Sequence, residues 1–460
     1  MSYPYRVVFA TPEFLKTRGF GRCEGLPFIF DHKPQYHRYS NQFLIDLALG
    51  EWSMSTRGAE DSVAPPPTAA TLKNYADWLA NFLDYCHQWG KDPLQVDYLI
   101  DIMQGYQDAM STGVWSRDDK PLAPKTINCR VDIACMYQQW AVDKGLRAPF
   151  RIPKVRKTFV IDNPRSSGAA TTKTVEARRG KVRESKRRLG LPDEKIIGGW
   201  LQRVREKCPV EGLLAETILE TAIRRAEAAA WRIDTLPLEP DAWHIVNQDR
   251  PLEHQSVLIT LLYGTKGHRY GEDHGDKIGP EGKIHLPMPL ALNLHEYRQK
   301  VRPKALTIAM RKARNGREAE AIRNEKVHLF LNPETGERFT AQQIYDFWTS
   351  GRVDCPRGWS PHLARDFWAC SVLWKHITAQ QQLLDQATKA GADPSVLKIL
   401  TLDIEGFIER TIKPQLRHVS RETSLIYLQW VSDRLHINLN LQENYMRQIE
   451  EEDIDEEEDE

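Results

Sequence analysis

The sequence predicts a mainly α-helical, multidomain chain with one small β-hairpin. Apolar residues recur at three- and four-residue spacing over most of its length, the signature of amphipathic helices. Two strand-like segments, VLITLLYG (257–264) and KIHLPMP (283–289), flank a polar, glycine-rich connection, as in a hairpin. A strongly basic stretch without apolar periodicity separates two periodic regions. At 460 residues, 41% hydrophobic and with thirteen tryptophans, the chain is too long for a single small module and apolar enough for packed cores.

Residues 1–67 are mixed and aromatic-rich, and they end in the Pro65-Pro66-Pro67 run, a plausible linker. The role of this extension is open: it packs against the following helices or adds contacts to a partner. In TLKNYADWLANFLDYCHQW, Leu72, Tyr75, Leu79, Phe82, Leu83 and Cys86 fall on one helical face, and Gly90 then Pro93 stop the pattern. A second helix runs from about Lys125-Thr126 through Ile127, Val131, Cys135 and Trp140 to Gly145, with a less regular helical stretch, DYLIDIMQGYQDAM, between them. Residues 68–146 therefore read as a small helical bundle. Residues 147–190 read as a basic interdomain linker, with thirteen Lys or Arg against three acids between Arg151 and Gly190. Periodicity resumes at about 191 and continues to about 445. Residues 446–460 form an acidic tail expected to be disordered and solvated.

Charge is balanced overall at 63 basic and 63 acidic residues, but ten of the acids lie in Glu450–Glu460, and without them the body has 63 basic against 53 acidic residues. Such an asymmetry suits a polyanionic partner. Within the linker, Arg178, Arg179, Lys181, Arg187 and Arg188, together with Lys125 at the start of the second helix, are the candidates for phosphate contact. The longest apolar stretch, Val257–Tyr263, falls far short of the roughly 18 residues a membrane helix needs. The N-terminus lacks a secretory pattern, so the expectation is a cytoplasmic protein with no membrane association. Seven scattered cysteines without a CxxC indicate neither a disulfide framework nor a cysteine zinc site.

Four separated motifs in the last region carry the chemistry. ETAIRRAEAAAWRID (220–234) places Arg224 one turn before Glu227; YGTKGHRYG carries Lys266 after the first strand; SPHLARDFWA (360–369) contains His362 and Arg365; LRHVSRETSLIYLQW (416–430) contains His418 nine residues before Tyr427. In order and spacing they resemble the tyrosine recombinase (phage integrase) family: its first arginine box, its hairpin lysine, its H-x-x-R box and its L-G-H-x-x-x-x-T-x-x-x-Y box. The stretch LFLNPETGERFTAQQIYDFW (329–348) is similar to the segment that precedes the second arginine in that family. Two departures stand out, Ala222 where glycine is usual and a second arginine, Arg225, beside Arg224.

The resemblance covers about residues 68–435. It implies a helical, SAM-like core-binding domain at 68–146 and a mixed α/β catalytic domain at 191–445, closing on DNA as a clamp. It implies Tyr427 as nucleophile, Arg224 and Arg365 on phosphate oxygens, His362 and His418 as further donors or proton acceptors, Glu227 in support, and Lys266 as general acid, with Lys277 and Lys283 as neighbouring alternatives. The implied reaction is site-specific recombination through a 3′-phosphotyrosyl intermediate, for integration or excision of a mobile element, with no metal, ATP or other cofactor required. It further implies double-stranded DNA with specific recombination sites as partner, a tetramer on DNA completed by the segment after Tyr427, and accessory DNA-bending or directionality factors. The alternatives are a type IB topoisomerase-like nicking and resealing enzyme and a non-catalytic DNA-binding descendant. His268, Asp273, His274 and Asp276 also fall together between the strands; an exposed polar hairpin is preferred there to a metal site, since no framework fixes their spacing.

The chemistry fits these residue types. A phenol becomes covalently attached to phosphorus, planar guanidiniums neutralise the non-bridging oxygens, and a proton donor serves the leaving 5′ oxygen. With an ordinary pKa of about 10, the tyrosine needs a base or strong local positive charge.

Overall fold

The computed structural model describes residues 5–31, 33–53, 66–161, 171–184, 188–350, 353–390, 404–417 and 421–434. The chain is mainly helical with small antiparallel sheets, and it divides into two compact units, Met1–Lys186 and Arg187–Glu460.

In the first unit, β1 (Arg6–Phe9) pairs antiparallel with β2 (Pro27–Phe30), with the short α1 (Pro12–Thr17) between them. Then follow α2 (Arg38–Leu49) and α3 (Ala69–Gln88), the latter capped by the Thr68 hydroxyl, which accepts from Thr71 N. The less regular segment is a π-helix, Tyr98–Gln107, running into α4 (Asp108–Thr112), and α5 (Pro124–Asp143) opens with proline at its first turn. The N-terminal extension packs into the bundle. Ile29 and Phe43 share one core with Leu79, Phe82, Tyr137 and Trp140, and the fully buried Asp46 of α2 pairs with Lys144 at 2.8 Å and accepts from Trp140 Nε1 at 2.8 Å.

The basic segment is more than a linker. Its backbone forms a hairpin, β3 (Lys154–Ile161) with β4 (Thr171–Arg178), whose mixture of basic and β-branched residues is as compatible with a strand as with a solvated tether. Gly180 lies against Met103, and Asn128 donates to Val182 O at 2.9 Å, so the end of the hairpin is fastened to the bundle.

In the second unit, α6 (Glu194–Lys207), α7 (Pro209–Thr221) and α8 (Arg225–Ala229) lead into a four-stranded antiparallel sheet. The sheet comprises β5 (Ile245–Val246), β6 (Ser256–Tyr263), β7 (Gly271–Asp273) and β8 (Asp276–Pro287) in the order β5-β6-β8-β7. The expected hairpin is thus β6 with β8, and the long connection holds a further strand. Next come α9 (Met288–Glu296), α10 (Arg302–Met310), α11 (Gly316–Glu325), α12 (Ala341–Thr349) and the long α13 (Pro361–Lys389), started by the Ser360 cap. A helix with a π turn at its middle, α14 (Ile404–Phe407, Ile408–Ile412, Lys413–Leu416), and α15 (Arg421–Arg434) complete it. Among the described residues no helix is long and apolar enough to cross a membrane.

Asp84 of α3 is 3% exposed and accepts from Tyr5 N at 2.9 Å; burial pushes its carboxyl up to about 7. A carboxyl raised in the folded state binds its proton more tightly there than in the unfolded chain. Its contribution is therefore largest below about pH 4 and is lost as pH rises towards 7. Denaturation of wild type and Asp84→Asn across pH 4–7 should show wild type losing stability relative to the variant; parallel curves would contradict this.

Candidate functional site

Arg365 sits at the centre of the site. It lies one turn into α13, is 2% exposed, and sends its guanidinium to two backbone carbonyls: Nη1 donates to Ala222 O and Nη2 to Leu416 O at 2.8 Å. These carbonyls belong to the C-terminal ends of α7 and α14, where carbonyls lack helical partners and a cation is favoured. Both ends turn through left-handed residues, Ala222 (φ +53°) and Arg417 (φ +52°). The glycine expected at 222 in the arginine box suits that conformation, and alanine adopts it at a steric cost.

The turn at Ala222 delivers Arg224 to the start of α8. Glu227, whose side chain is fully buried, accepts from Arg224 N at 2.7 Å and from Arg224 Nη1 at 2.9 Å, and also from Arg417 Nη2. Arg225 points elsewhere, over the Tyr345 ring at 5.3 Å. One carboxylate thus holds two guanidiniums. Burial first, then the charges of Arg224 and Arg417, lower the pKa of Arg365 to about 10, with Glu227 opposing them. Burial also lowers Arg417, with Glu227 opposing and Arg224 adding to the effect.

Tyr427 of α15 is 1% exposed and donates to Asp366 Oδ1 at 3.1 Å, one residue past Arg365. Burial, the Asp366 charge and that hydrogen bond push the phenol well above its ordinary pKa, and Arg365 opposes them. The apolar surroundings are Ala369, Cys370, Leu373 and Val431. His362 lies on the exposed side of the first turn of α13, whereas Arg365 faces the interior. His418 and Arg187 lie outside the described residues, as do the segment after Arg434 and the acidic tail.

Lys266 is exposed in the turn after β6. That turn is held against α8 at Gly264 (φ +70°), where a Cβ would stand 2.5 Å from Ala226 O; only glycine fits both the conformation and the approach. Lys277 donates to Gly267 O at 2.5 Å, and Lys283 is exposed opposite Thr260. The expectation of an exposed polar hairpin holds for His268 and His274 and fails at Asp276. Asp276 is 9% exposed and binds Arg338 at 2.6 Å, His328 at 2.5 Å and Arg232 at 3.2 Å. This buried network anchors β8 to distant segments.

Of the candidate phosphate contacts, Lys125, Arg179, Lys181 and Arg188 are exposed. Arg178 is committed to the bundle instead: its side chain is 8% exposed and donates to Asp132 at 2.8 Å, Gln107 at 2.8 Å and Asn128 at 3.0 Å. The sequence reading missed Asp366, Arg417 and Gln415. Gln415 is buried and joins β8 to the end of α7, accepting from His285 N at 2.8 Å and donating to Thr221 O at 2.9 Å. The available signal was a pair of charged residues at motif positions of no assigned charge: Asp366 directly after the second arginine, and Arg417 in the glycine position of the last box.

No family model matches the chain, and no curated protein matches it by sequence. Among solved structures it is similar to one described as "Crystal structure of XerA recombinase", with 13% identity over 86% of this chain and 98% of that one, at a TM-score of 0.29. A likeness this loose carries no residue-by-residue correspondence.

Removing the Arg365 guanidinium orphans two buried carbonyls, each worth about 1–3 kcal/mol. Arg365→Met should therefore lower the denaturation midpoint of the second unit by the equivalent of roughly 2–4 kcal/mol; a midpoint equal to that of wild type would contradict the tie that Arg365 makes between the two helix ends.

Proposed function

We propose that this chain is a site-specific DNA recombinase of the tyrosine recombinase type, which cleaves and rejoins DNA through a 3′-phosphotyrosyl intermediate. The observation that carries this reading is the convergence, from three separate stretches of sequence, of Arg224 with Glu227, Arg365 and Tyr427 on one locus. Arginine forks beside a phenol suit in-line displacement at a phosphodiester better than hydrolysis of a small substrate.

In the proposed reaction, Tyr427 Oη attacks phosphorus, the phosphorus–O5′ bond breaks, and a 5′ hydroxyl leaves. Arg224 and Arg365 offset the charge on the non-bridging oxygens, and Lys266 gives its proton to the leaving oxygen. Attack by a second strand's 5′ hydroxyl then releases Tyr427, so the number of phosphodiester bonds is conserved and the chemistry requires neither ATP nor metal. His362 and His418 serve as further donors to the phosphate or acceptors of the phenol proton. With the phenol 1% exposed and bonded to Asp366, α15 has to shift before the oxygen reaches a duplex. Lys125, Arg179, Lys181 and Arg188 supply backbone phosphate contacts. Assembly as a tetramer on DNA, accessory factors and a mobile-element role belong to the same proposal.

The test is covalent capture. Duplexes selected by the protein from a random library, or built from DNA flanking its gene, are nicked near the scissile position and incubated with protein in EDTA. Wild type should give an SDS-resistant adduct, Tyr427→Phe none with duplex affinity unchanged, and Arg224→Ala at least tenfold less. Tight binding without adduct would favour a DNA-binding protein that does not cut; an adduct that relaxes supercoils but never exchanges strands would favour the topoisomerase reading.

A further inference from the structure

Arg417 is the guanidinium at this site for which the proposed reaction has no role. Its side chain is 15% exposed, its Nη2 donates to Glu227 Oε2, and its Nε is buried without a hydrogen-bond partner. Its backbone is left-handed at φ +52°, a conformation that glycine adopts freely and a residue with a Cβ adopts at a cost. Space for the side chain comes from β8: a Cβ on Gly282 would overlap Arg417 Cδ. The arginine is thus held against a local backbone preference, by a buried carboxylate on one side and a missing side chain on the other.

The charge balance suggests its purpose. Without Arg417, Arg224 and Arg365 face Glu227 and Asp366, two cations against two anions. Glu227 would then draw fully on the Arg224 guanidinium it already bonds at 2.9 Å. With Arg417 on the other oxygen, the same carboxylate is shared, and the locus has three cations against two anions. A surplus cation in a dry site is what an incoming phosphodiester requires.

We propose that Arg417 is a positioning residue for the phosphodiester: by taking up the charge of Glu227 it leaves the Arg224 guanidinium available to a non-bridging oxygen. This rests on the recombinase reading. Arg417 acts through Glu227, so its effect depends on the glutamate charge.

The test uses Arg417→Gly, which relieves the left-handed backbone and so protects folding, in wild-type and Glu227→Gln backgrounds of the full chain. Three quantities are measured: single-turnover adduct formation on the nicked duplex, affinity for the intact duplex, and thermal midpoint. Arg417→Gly should slow adduct formation at least tenfold, with affinity within about twofold and a midpoint equal to or above that of wild type. In the Glu227→Gln background the same change should cost less than threefold, because the charge it offsets is gone. Equal slowing in both backgrounds, an unchanged rate, or slowing accompanied by a lower midpoint would overturn the inference. Absence of adduct from wild type would instead remove the recombinase reading, and this inference with it.

Discussion

A single buried guanidinium closes the candidate site. Arg365 reaches two helix ends that lie far apart in sequence, at Ala222 and Leu416, and each end is followed within two residues by another arginine. The positions of Arg224 and Arg417 therefore follow from where Arg365 ties those carbonyls, and the position of Tyr427 follows from Asp366 beside it on α13. Burying a permanent cation is costly unless it is fully hydrogen-bonded. Here the cost is offset by two carbonyl acceptors at helix C-termini, where the helix dipole favours positive charge.

The second constraint is the shared carboxylate. Three guanidiniums in mutual range repel one another, and the pKa of Arg365 is lowered by burial first and by the Arg224 and Arg417 charges second. Glu227 makes the cluster tolerable: it caps α8 through Arg224 N and bonds two of the three side chains. Tyr427 lies in the opposite environment, apolar and next to an acid, which favours the protonated phenol. The site as it stands gathers three guanidiniums around the Glu227 carboxylate, with the Tyr427 hydroxyl buried against Asp366.

Much of this was legible in the sequence. The helices around Leu72–Cys86 and Ile127–Trp140 follow from apolar spacing and their glycine stops, and the β6/β8 pairing from two β-branched runs around a glycine-rich connection. Of the residues that the motifs singled out, Arg224, Glu227, Arg365 and Tyr427 lie together, and each motif was findable because it is a local pattern. What escaped was set by long-range contact. The β3/β4 hairpin escaped because the apolar residues of KVRKTFVI and TTKTVEAR are few and irregularly spaced among polar and charged ones, so no period-two alternation stood out. Arg178 looked like a phosphate ligand by composition, yet Asp132, Gln107 and Asn128 claim it. Asp276 looked exposed for the same reason, since its partners Arg232, His328 and Arg338 come from elsewhere in the chain. A charged residue's fate depends on what faces it across the fold, and local sequence carries no record of that.

The most direct measurement is the chemical identity of the protein–DNA link. The adduct formed on a nicked duplex is digested with nuclease and protease, and the modified peptide is sequenced by tandem mass spectrometry. The account predicts one modified peptide from α15, carrying a nucleotide on Tyr427 through its 3′ phosphate, with the 5′ hydroxyl free on the released strand. A nucleotide on any other residue, or a link through a 5′ phosphate, would contradict it.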